Sequence, residues 1–380
     1  LRGVPNASSE LEMRFSVFEG TAAFAARGPA EAARVTLEDA LRVARSRGDV
    51  HYQGLILSGL YWLWIYWGEA ERAIECAAAI GTIDLVPDPS VTAICADYVA
   101  IATTQLGNQV LARSLLEEVL SAPTNVDLGR FFRVGTDSRI FTKVFLIKTL
   151  WLVGQGEHAL QLYAEILSSL RLPENSLYYC WVLNEVMIPF YCDRQDWAPA
   201  REASTELERA AEALGMVLRI RAARAAGLAI DVLQKGDGLE AYESALTLVH
   251  SSNFHNFTPW LDGVMAQGLA RQGRTSDALA RLHEAIERGQ RSANGWWLAE
   301  LMRMRAELLD QTEPESPAAL EAIQAAHALA REQGALTLAR RAGVSWVKLA
   351  RETGAAPRAR AALRSTLELM PDGIAEIEPA

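Results

Sequence analysis

The chain has 380 residues, more than a single compact core of ordinary size contains, because such cores stop growing at about 250–300 residues. Half of the residues are hydrophobic and 22% are charged, with 26 Gly and 14 Pro, which excludes a disordered or fibrous protein. The net charge of −10 argues against direct binding of nucleic acid, which depends on a basic surface that neutralises phosphates.

The cysteines and the N-terminal residues indicate a cytoplasmic location. Four cysteines, Cys76, Cys95, Cys180 and Cys192, form no CxxC pair, so we expect neither a disulfide framework nor a zinc site. No secretory signal opens the chain, and a start at Leu1 suggests excision from a longer protein. The longest uncharged stretch, residues 53–68, is shorter than the roughly 20 apolar residues of a membrane span and predicts a buried helix.

Alanine-rich, helix-favouring segments recur along the chain, each after a short break of Gly, Pro, Asn or Asp. Nine of them share an early alanine, with a mean spacing of about 41 residues: Ala33, Ala73, Ala112, Ala159, Ala200, Ala241, Ala278, Ala319 and Ala359. A fixed period of this size is typical of stacked helical hairpins, with each segment as the second helix of its hairpin. We therefore predict one all-α domain over residues 1–380, a superhelical, tetratricopeptide-like solenoid of about nine antiparallel helix hairpins.

Three places depart from the regular repeat. The connection from Pro123 to Ser138 is the longest, and the period exceeds the 34 residues of a standard tetratricopeptide repeat, so some connections must carry extra residues. Pro189 lies inside an apolar segment and should kink or end a helix there, because proline lacks the N–H group and crowds the preceding turn. The sixth hairpin is irregular around Gly236–Gly238.

Aromatic residues are the first candidates for a binding surface. In a solenoid of hairpins the first helices line the concave face, and they carry Tyr61, Trp62, Tyr178, Trp181, Trp260 and Trp297. Rings on that face would form a recognition surface. The alternative is core packing, which the run YWLWIYW from Tyr61 to Trp67 favours, because it covers all sides of a helix.

Charged residues are the second set of candidates. Arg133, Asp137 and Arg139 lie within or just after the long connection, where the arginines would clamp a carboxylate or phosphate; the alternative is an ion pair that fixes the loop. Glu300 lies three residues before Arg303 and is either a groove residue or an ion-pair partner between repeats.

No catalytic signature is present in the sequence. It has no GxxxxGK[ST], HExxH or GxSxG motif and no glycine fingerprint after a strand. His250 and His255 are five residues apart, a spacing that does not place both on one helical face, so we expect no metal site there. We predict that the protein is not an enzyme and uses no cofactor.

Several segments resemble one protein family. RFFRVGTDSRIFTKVFLIKTLWLVGQGEHALQLYAEIL, NSLYYCWVLNEVMIPFYC, GRTSDALARLHEAIERGQRSANGWWLAELMRMRAELL and AHALAREQGALTLARRAGVSWVKLAR occur in this order. They are similar to the C-terminal tetratricopeptide-like region of bacterial winged-helix transcriptional regulators with a central predicted ATPase, of the signal-transducing ATPase class. Asp137, Arg139, Tyr178, Pro189, Trp296, Glu300 and Arg303 fall on recurrent positions of that family.

The resemblance implies a sensor domain of a larger regulator. A protein or small-molecule effector would bind the concave groove, and the event would pass to ATPase and winged-helix modules that lie outside this chain. The chain itself would contact neither nucleic acid nor membrane. The alternative is a free-standing tetratricopeptide scaffold that holds a peptide or protein partner in the same groove.

Overall fold

The computed structural model describes residues 29–83, 89–122, 139–170, 176–314, 316–351 and 354–370, and the regular structure in these ranges is entirely helical. No helix there combines the length and the apolar character that crossing a membrane demands. The helices are α1 (Glu31–Ser46), α2 (Val50–Trp67), α3 (Ala70–Ile83), α4 (Pro89–Leu106), α5 (Gln109–Ser121), α6 (Arg139–Leu152), α7 (Gly156–Ser169), α8 (Ser176–Val182), α9 (Ile188–Asp193), α10 (Trp197–Ala213), α11 (Val217–Lys235), α12 (Leu239–His250), α13 (Thr258–Arg271), α14 (Thr275–Arg291), α15 (Leu298–Thr312), α16 (Pro317–Glu332), α17 (Leu336–Leu349) and α18 (Ala356–Leu367).

Consecutive helices pack against each other along most of the described chain, which confirms the predicted all-α solenoid. The described residues contain α1 and eight complete hairpins: α2–α3, α4–α5, α6–α7, α8/α9–α10, α11–α12, α13–α14, α15–α16 and α17–α18. The short turns within hairpins force neighbouring helices to run antiparallel. This agrees with the predicted number of about nine repeats.

The hairpins form two layers. The first helices also contact the first helix of the next repeat, as α11, α13, α15 and α17 do in succession, so they make the inner layer. They are buried on nearly every side, as α2 is from Leu60 to Tyr66. The outer helices bury one stripe, as α14 does with Ala278, Leu282 and Ala285 at helical spacing.

Most of the recurrent alanines lie on the buried faces of the second helices. Eight of the nine are at most 2% exposed, whereas Ala241 lies at the surface. Its neighbour Tyr242 is fully buried and donates a hydrogen bond from its hydroxyl to the carbonyl of Leu261 at 2.7 Å. The predicted anchor in the sixth repeat is therefore wrong by one residue, in the hairpin whose turn contains both Gly236 and Gly238.

Pro189 neither ends nor breaks its helix. The five residues before α9, Leu183–Met187, form a π-helix that joins α8 to α9, and the amide of Ile188 bonds to the carbonyl of Leu183, five residues back. The wider π turn accommodates a proline that lacks the donor for the usual bond four residues back. As a result, Asn184 and Glu185 lie in the interior and are fully buried.

Two turns of the superhelix meet end to end along a line that we call the seam. On one side are the carbonyls of Tyr66, Gln105 and Trp151, each on the penultimate residue of α2, α4 or α6. On the other side are donors at or before the starts of α13, α15 and α17: the amides of His255, Asn256, Gly295 and Trp296, and the hydroxyl of Thr337. Carbonyls in the last turns of one set of helices thus meet donors at the N-terminal ends of another.

The seam joins residues between four and five repeats apart along the chain. The amides of Gly295 and Trp296 lie 2.8 and 3.2 Å from the carbonyl oxygen of Gln105. A Cβ on Gly295 would lie 2.3 Å from the carbonyl oxygen of Leu106, so only glycine permits this approach. Through these hydrogen bonds the second turn of the solenoid packs against the first in the described residues.

Candidate functional site

The aromatic residues predicted for a groove in the N-terminal half lie in the core. Tyr61, Trp62, Tyr178 and Trp181 are 0%, 8%, 4% and 1% exposed, respectively. Tyr61 donates its hydroxyl proton to the carbonyl of Tyr98 at 2.8 Å, and the ring of Trp62 packs against Trp181 with centroids 5.6 Å apart. The core-packing alternative holds for these four rings, since each of them is almost completely buried.

The charged candidates of the long connection are only partly described. Arg133 and Asp137 lie outside the described residues. Arg139, at the first position of α6, donates from Nη2 to the carbonyl of Ala122 at 2.5 Å. It therefore bridges the two ends of the long connection.

Repeats five to nine, from α9 to α17, line a cavity of about 320 Å³ that is partly open to solvent. This volume is at the lower end of the range found for small-molecule sites. Of the predicted residues, Trp260 and Trp297 line it, and both are otherwise buried. The lining residues are Cys192, Asp193, Gln195, Trp197, Leu233, Gln234, Trp260, Val264, Gln267, Arg271, Trp297, Met304 and Arg341.

A chain of ion pairs forms one side of this cavity. Arg341 on α17 pairs with Asp193 through Nη1 and with the fully buried Glu300 through Nη2, the latter at 2.7 Å. Glu300 also accepts two hydrogen bonds from Arg303, at 2.8 and 2.9 Å. Burial lowers the pKa of Arg341 to about 10, which leaves the guanidinium charged at neutral pH. Glu300 thus links α15 to α17 through Arg341, as the inter-repeat alternative predicts, and lies behind the cavity wall.

Gln195 lines the cavity with a strained backbone. Five other hairpins place a glycine with positive φ at the turn before the second helix: Gly68, Gly107, Gly154, Gly273 and, in the sixth hairpin, both Gly236 and Gly238. Gln195 takes this position with φ 60°, and its amide bonds to the carbonyl of Cys192 at 3.1 Å just as Gly273 bonds to Ala270. A side chain in this conformation costs roughly 1–2 kcal/mol, and such strain clusters at functional sites.

A second polar cluster lies on the core side of the seam and is completely buried. Lys148 on α6, Glu185 on the π-helix and Arg219 on α11 are all 0% exposed. The Glu185 carboxylate lies 3.9 Å from Nζ of Lys148 and 3.7 Å from Nη1 of Arg219, and it accepts hydrogen bonds at 3.1 Å from the amides of Asn184 and Asn256. Burial lowers the pKa of Lys148 to about 8, although Glu185 opposes this shift.

Aromatic rings supply much of the remaining contact to these cations. Nζ of Lys148 lies 3.6 Å from the ring centroid of Trp296, and the guanidinium of Arg219 lies 4.4 Å from that of Trp181. Arg219 also donates to the Tyr66 hydroxyl at 3.0 Å. The cluster connects α2, α6, the π-helix and α11 to the seam. Because it contains two cationic side chains and one carboxylate, it has an excess positive charge.

Two histidines approach each other beside the seam. The rings of His250 and His255 lie 5.8 Å apart, although His255 is not in a helix. His250 bonds through Nε2 to the buried carboxylate of Asp262 at 3.0 Å, and Arg288 pairs with the same carboxylate. Burial lowers the pKa of His255 to about 4. No group of three His, Cys, Asp or Glu side chains suited to a metal ion occurs within the described ranges.

Asp193, Gln195, Arg271 and Arg341 were not singled out by sequence reasoning. Gln195 carried a usable signal, since RQDW stands where other hairpins have a glycine. Lys148 and Glu185 carried one too, as charged residues inside the apolar segments FTKVFLIKTLWL and VLNEVMIPF. Arg271 and Arg341 lie on ordinary amphipathic segments and carried none.

Comparison with known proteins supplies no relative of known function. No protein-family model matches the chain, and a search of curated proteins finds no match. The geometry of the cavity is therefore the main evidence for function.

Proposed function

We propose that this chain is the sensor and interaction domain of a cytoplasmic bacterial transcriptional regulator, and that its effector or partner binds in the cavity of repeats five to nine. The observation that carries the proposal is the cavity itself, in which Trp260 and Trp297 stand beside the ion pair of Asp193 and Arg341. An apolar wall with a few fixed polar groups is the usual composition of a ligand site.

The family resemblance also supports a binding site in this region. Its segments contain Trp297, Met304 and Arg341, which line the cavity, and Glu300, which pairs with Arg341. The ATPase and winged-helix modules come into the proposal through this resemblance alone. A peptide scaffold would need an extended open groove, whereas the inner helices of the described residues are buried on nearly every side, as α2 is from Leu60 to Tyr66.

The signal would travel through the seam. The ring of Trp297 packs against Trp151 with centroids 5.6 Å apart, and the carbonyl of Trp151 accepts the seam hydrogen bond from Thr337. The preceding residue, Trp296, bonds through its amide to the carbonyl of Gln105. A ligand that binds better when the seam is closed would shift the population towards that state.

A thermal-shift screen of metabolites tests the proposal. A ligand at 100 times its Kd stabilises its target by about 2.7 kcal/mol, which is readily measured. Gln267→Trp fills the cavity from α13, and Gln272→Trp adds the same side chain at an exposed position five residues later. We expect a compound that raises the Tm of the wild type and of Gln272→Trp but not of Gln267→Trp. A screen in which no compound raises the Tm of the wild type would refute the cavity as the sensor site. So would compounds that stabilise Gln267→Trp and Gln272→Trp equally.

A further inference from the structure

We infer that the cavity selects a small organic oxyanion, a carboxylate or a phosphate ester on a compact apolar body. This inference rests on the proposed function, because it names the chemistry of the ligand for the same site. It follows from the balance of hydrogen-bond donors and acceptors, from a strained residue and from the shape of the wall.

Two side chains of the cavity wall that could accept hydrogen bonds, Asp193 and Gln234, already have partners. The Asp193 carboxylate pairs with Arg341 through Oδ1 and lies 3.4 Å from the indole nitrogen of Trp151 through Oδ2. Gln234 accepts a hydrogen bond from Arg201 through its side-chain oxygen at 3.2 Å. A cationic ligand would therefore have to compete with Arg341 for the single carboxylate in the wall.

Several donors remain available. The indole nitrogen of Trp297 is buried and has no hydrogen-bond partner among the described residues, although the side chain lines the cavity. Arg271 uses Nη1 for the carbonyls of Val232 and Leu233, both at 2.7 Å, and no other hydrogen bond of its guanidinium is found in the described part of the chain. A guanidinium presents five donors in a planar fork, which suits a carboxylate or phosphate.

The net charge of the residues that line the cavity also favours an anionic ligand. Arg271 and Arg341 face a single acid, Asp193, so the lining residues carry one excess positive charge. Arg341 is held by Asp193 and Glu300, whereas Arg271 lies at the exposed rim. Arg271 is thus the cation that an incoming anion would meet, whereas Arg341 is held in its ion pairs.

Gln195 fits this assignment. A glycine at its position would relieve the strain of φ 60°, yet the chain keeps a side chain there with two amide donors and one acceptor. Among the other lining residues, Trp260, Val264 and Met304 are at most 6% exposed and supply an apolar surface. The cavity therefore offers amide and guanidinium donors to one end of a ligand and an apolar wall to its body.

Isothermal titration with three probes tests the inference: 3-phenylpropionate, phenyl phosphate and the uncharged 3-phenylpropanol. We expect at least one anion to bind at least tenfold more tightly than the alcohol, and the two anions together show which oxyanion is preferred. Arg271→Met should weaken binding of the preferred anion about tenfold and leave the alcohol unchanged. Arg274→Met is the matched control, because Arg274 pairs with Asp277 at 2.7 Å outside the cavity.

The variant Gln195→Gly distinguishes an effect on ligand affinity from an effect on protein stability. It should weaken the preferred anion severalfold while the protein becomes no less stable, since the glycine relieves backbone strain. Equal affinity for the alcohol and the anions, equal effects of Arg271→Met and Arg274→Met, or no binding of either anion would overturn the inference. In those cases the proposed sensor function would still stand if an uncharged compound bound the wild type and failed to bind Gln267→Trp.

Discussion

Replacing Glu185 by glutamine tests whether the buried cluster of Lys148, Glu185 and Arg219 stabilises the two-turn structure. The substitution keeps the size of the side chain, and the glutamine oxygen still accepts the hydrogen bonds that Asn184 and Asn256 give to Oε1 at 3.1 Å. It removes the negative charge and places an amide NH₂ group where Oε2 lies 3.9 Å from Nζ of Lys148. Two buried cations then lose the anion between them.

The size of the effect follows from the distances. Unit charges about 4 Å apart attract by about 4 kcal/mol at an effective dielectric constant of 20, and Glu185 has two such partners, at 3.7 and 3.9 Å. The carboxylate no longer has to be dehydrated, which offsets part of this loss. Breaking a buried ion pair by removing one partner costs about 3–5 kcal/mol, and we expect a loss in this range for Glu185→Gln.

The loss should also depend on pH through Lys148. Its pKa is lowered to about 8 in the folded protein, below the ordinary value of 10.5, so the folded state binds fewer protons than the unfolded state between these values. The stability contributed by this lysine therefore falls as the pH falls from 10.5 to 8. Without Glu185 the pKa of Lys148 falls further, so Glu185→Gln should destabilise the protein more at pH 6 than at pH 9.

Urea unfolding monitored by circular dichroism at both pH values measures these free energies. Glu117→Gln is the matched control, because Glu117 pairs with Arg113 at 2.8 Å on the exposed face of α5 and should cost less than about 1 kcal/mol. Lys148→Met combined with Glu185→Gln should recover part of the loss, since one unpaired cation is removed. A loss for Glu185→Gln no larger than that for Glu117→Gln would refute the reasoning.

Two further predictions concern the core and the seam. Asp97 is buried and accepts a hydrogen bond from Thr142 at 2.7 Å, and burial raises its pKa from 3.8 to about 7. Stability should therefore fall as the pH rises from about 4 to 7, so Asp97→Asn should add up to about 4 kcal/mol at pH 8.5 and less than half of that at pH 5 in urea unfolding. An equal gain at both pH values would contradict this. Gly295→Ala should force the seam apart, lower the Tm and increase the radius of gyration in small-angle scattering, because its Cβ would lie 2.3 Å from the Leu106 carbonyl oxygen. Gly59→Ala is the control, because its Cβ would meet only Leu37, at 3.5 Å, and should leave the radius of gyration unchanged. Equal behaviour of the two variants would rule out this role of Gly295.

The sequence predicted the repeat well where the structure depends on nearby residues. Helical periodicity and turn residues act within one hairpin, so eight of the nine alanines are buried as expected. In the sixth repeat the pattern does not distinguish Ala241 from Tyr242, because either residue would fit an amphipathic helix. The packing of Tyr242 against Leu261 on the next inner helix decides between them.

The candidate site was only partly predictable. The sequence identified Trp260, Trp297 and Glu300, whereas the cavity also requires Arg271 and Arg341, which come from different repeats. Their approach depends on how the inner helices stack, and each charged residue in isolation resembles any surface residue of an amphipathic helix. Gln195 was the exception, because a missing glycine is visible in the sequence itself.

The sequence by itself determined that this protein is a solenoid of helical hairpins, because apolar spacing and turn chemistry are properties of short segments. Only the tertiary structure decided that the second turn of the solenoid packs against the first and that Tyr61, Trp62 and Trp181 are buried. Closure depends on small rotations that add up over four to five repeats until Gln105 reaches Gly295. The accumulated rotation determines which aromatic side chains are buried in the core and which line a cavity, and no local pattern of residues encodes it.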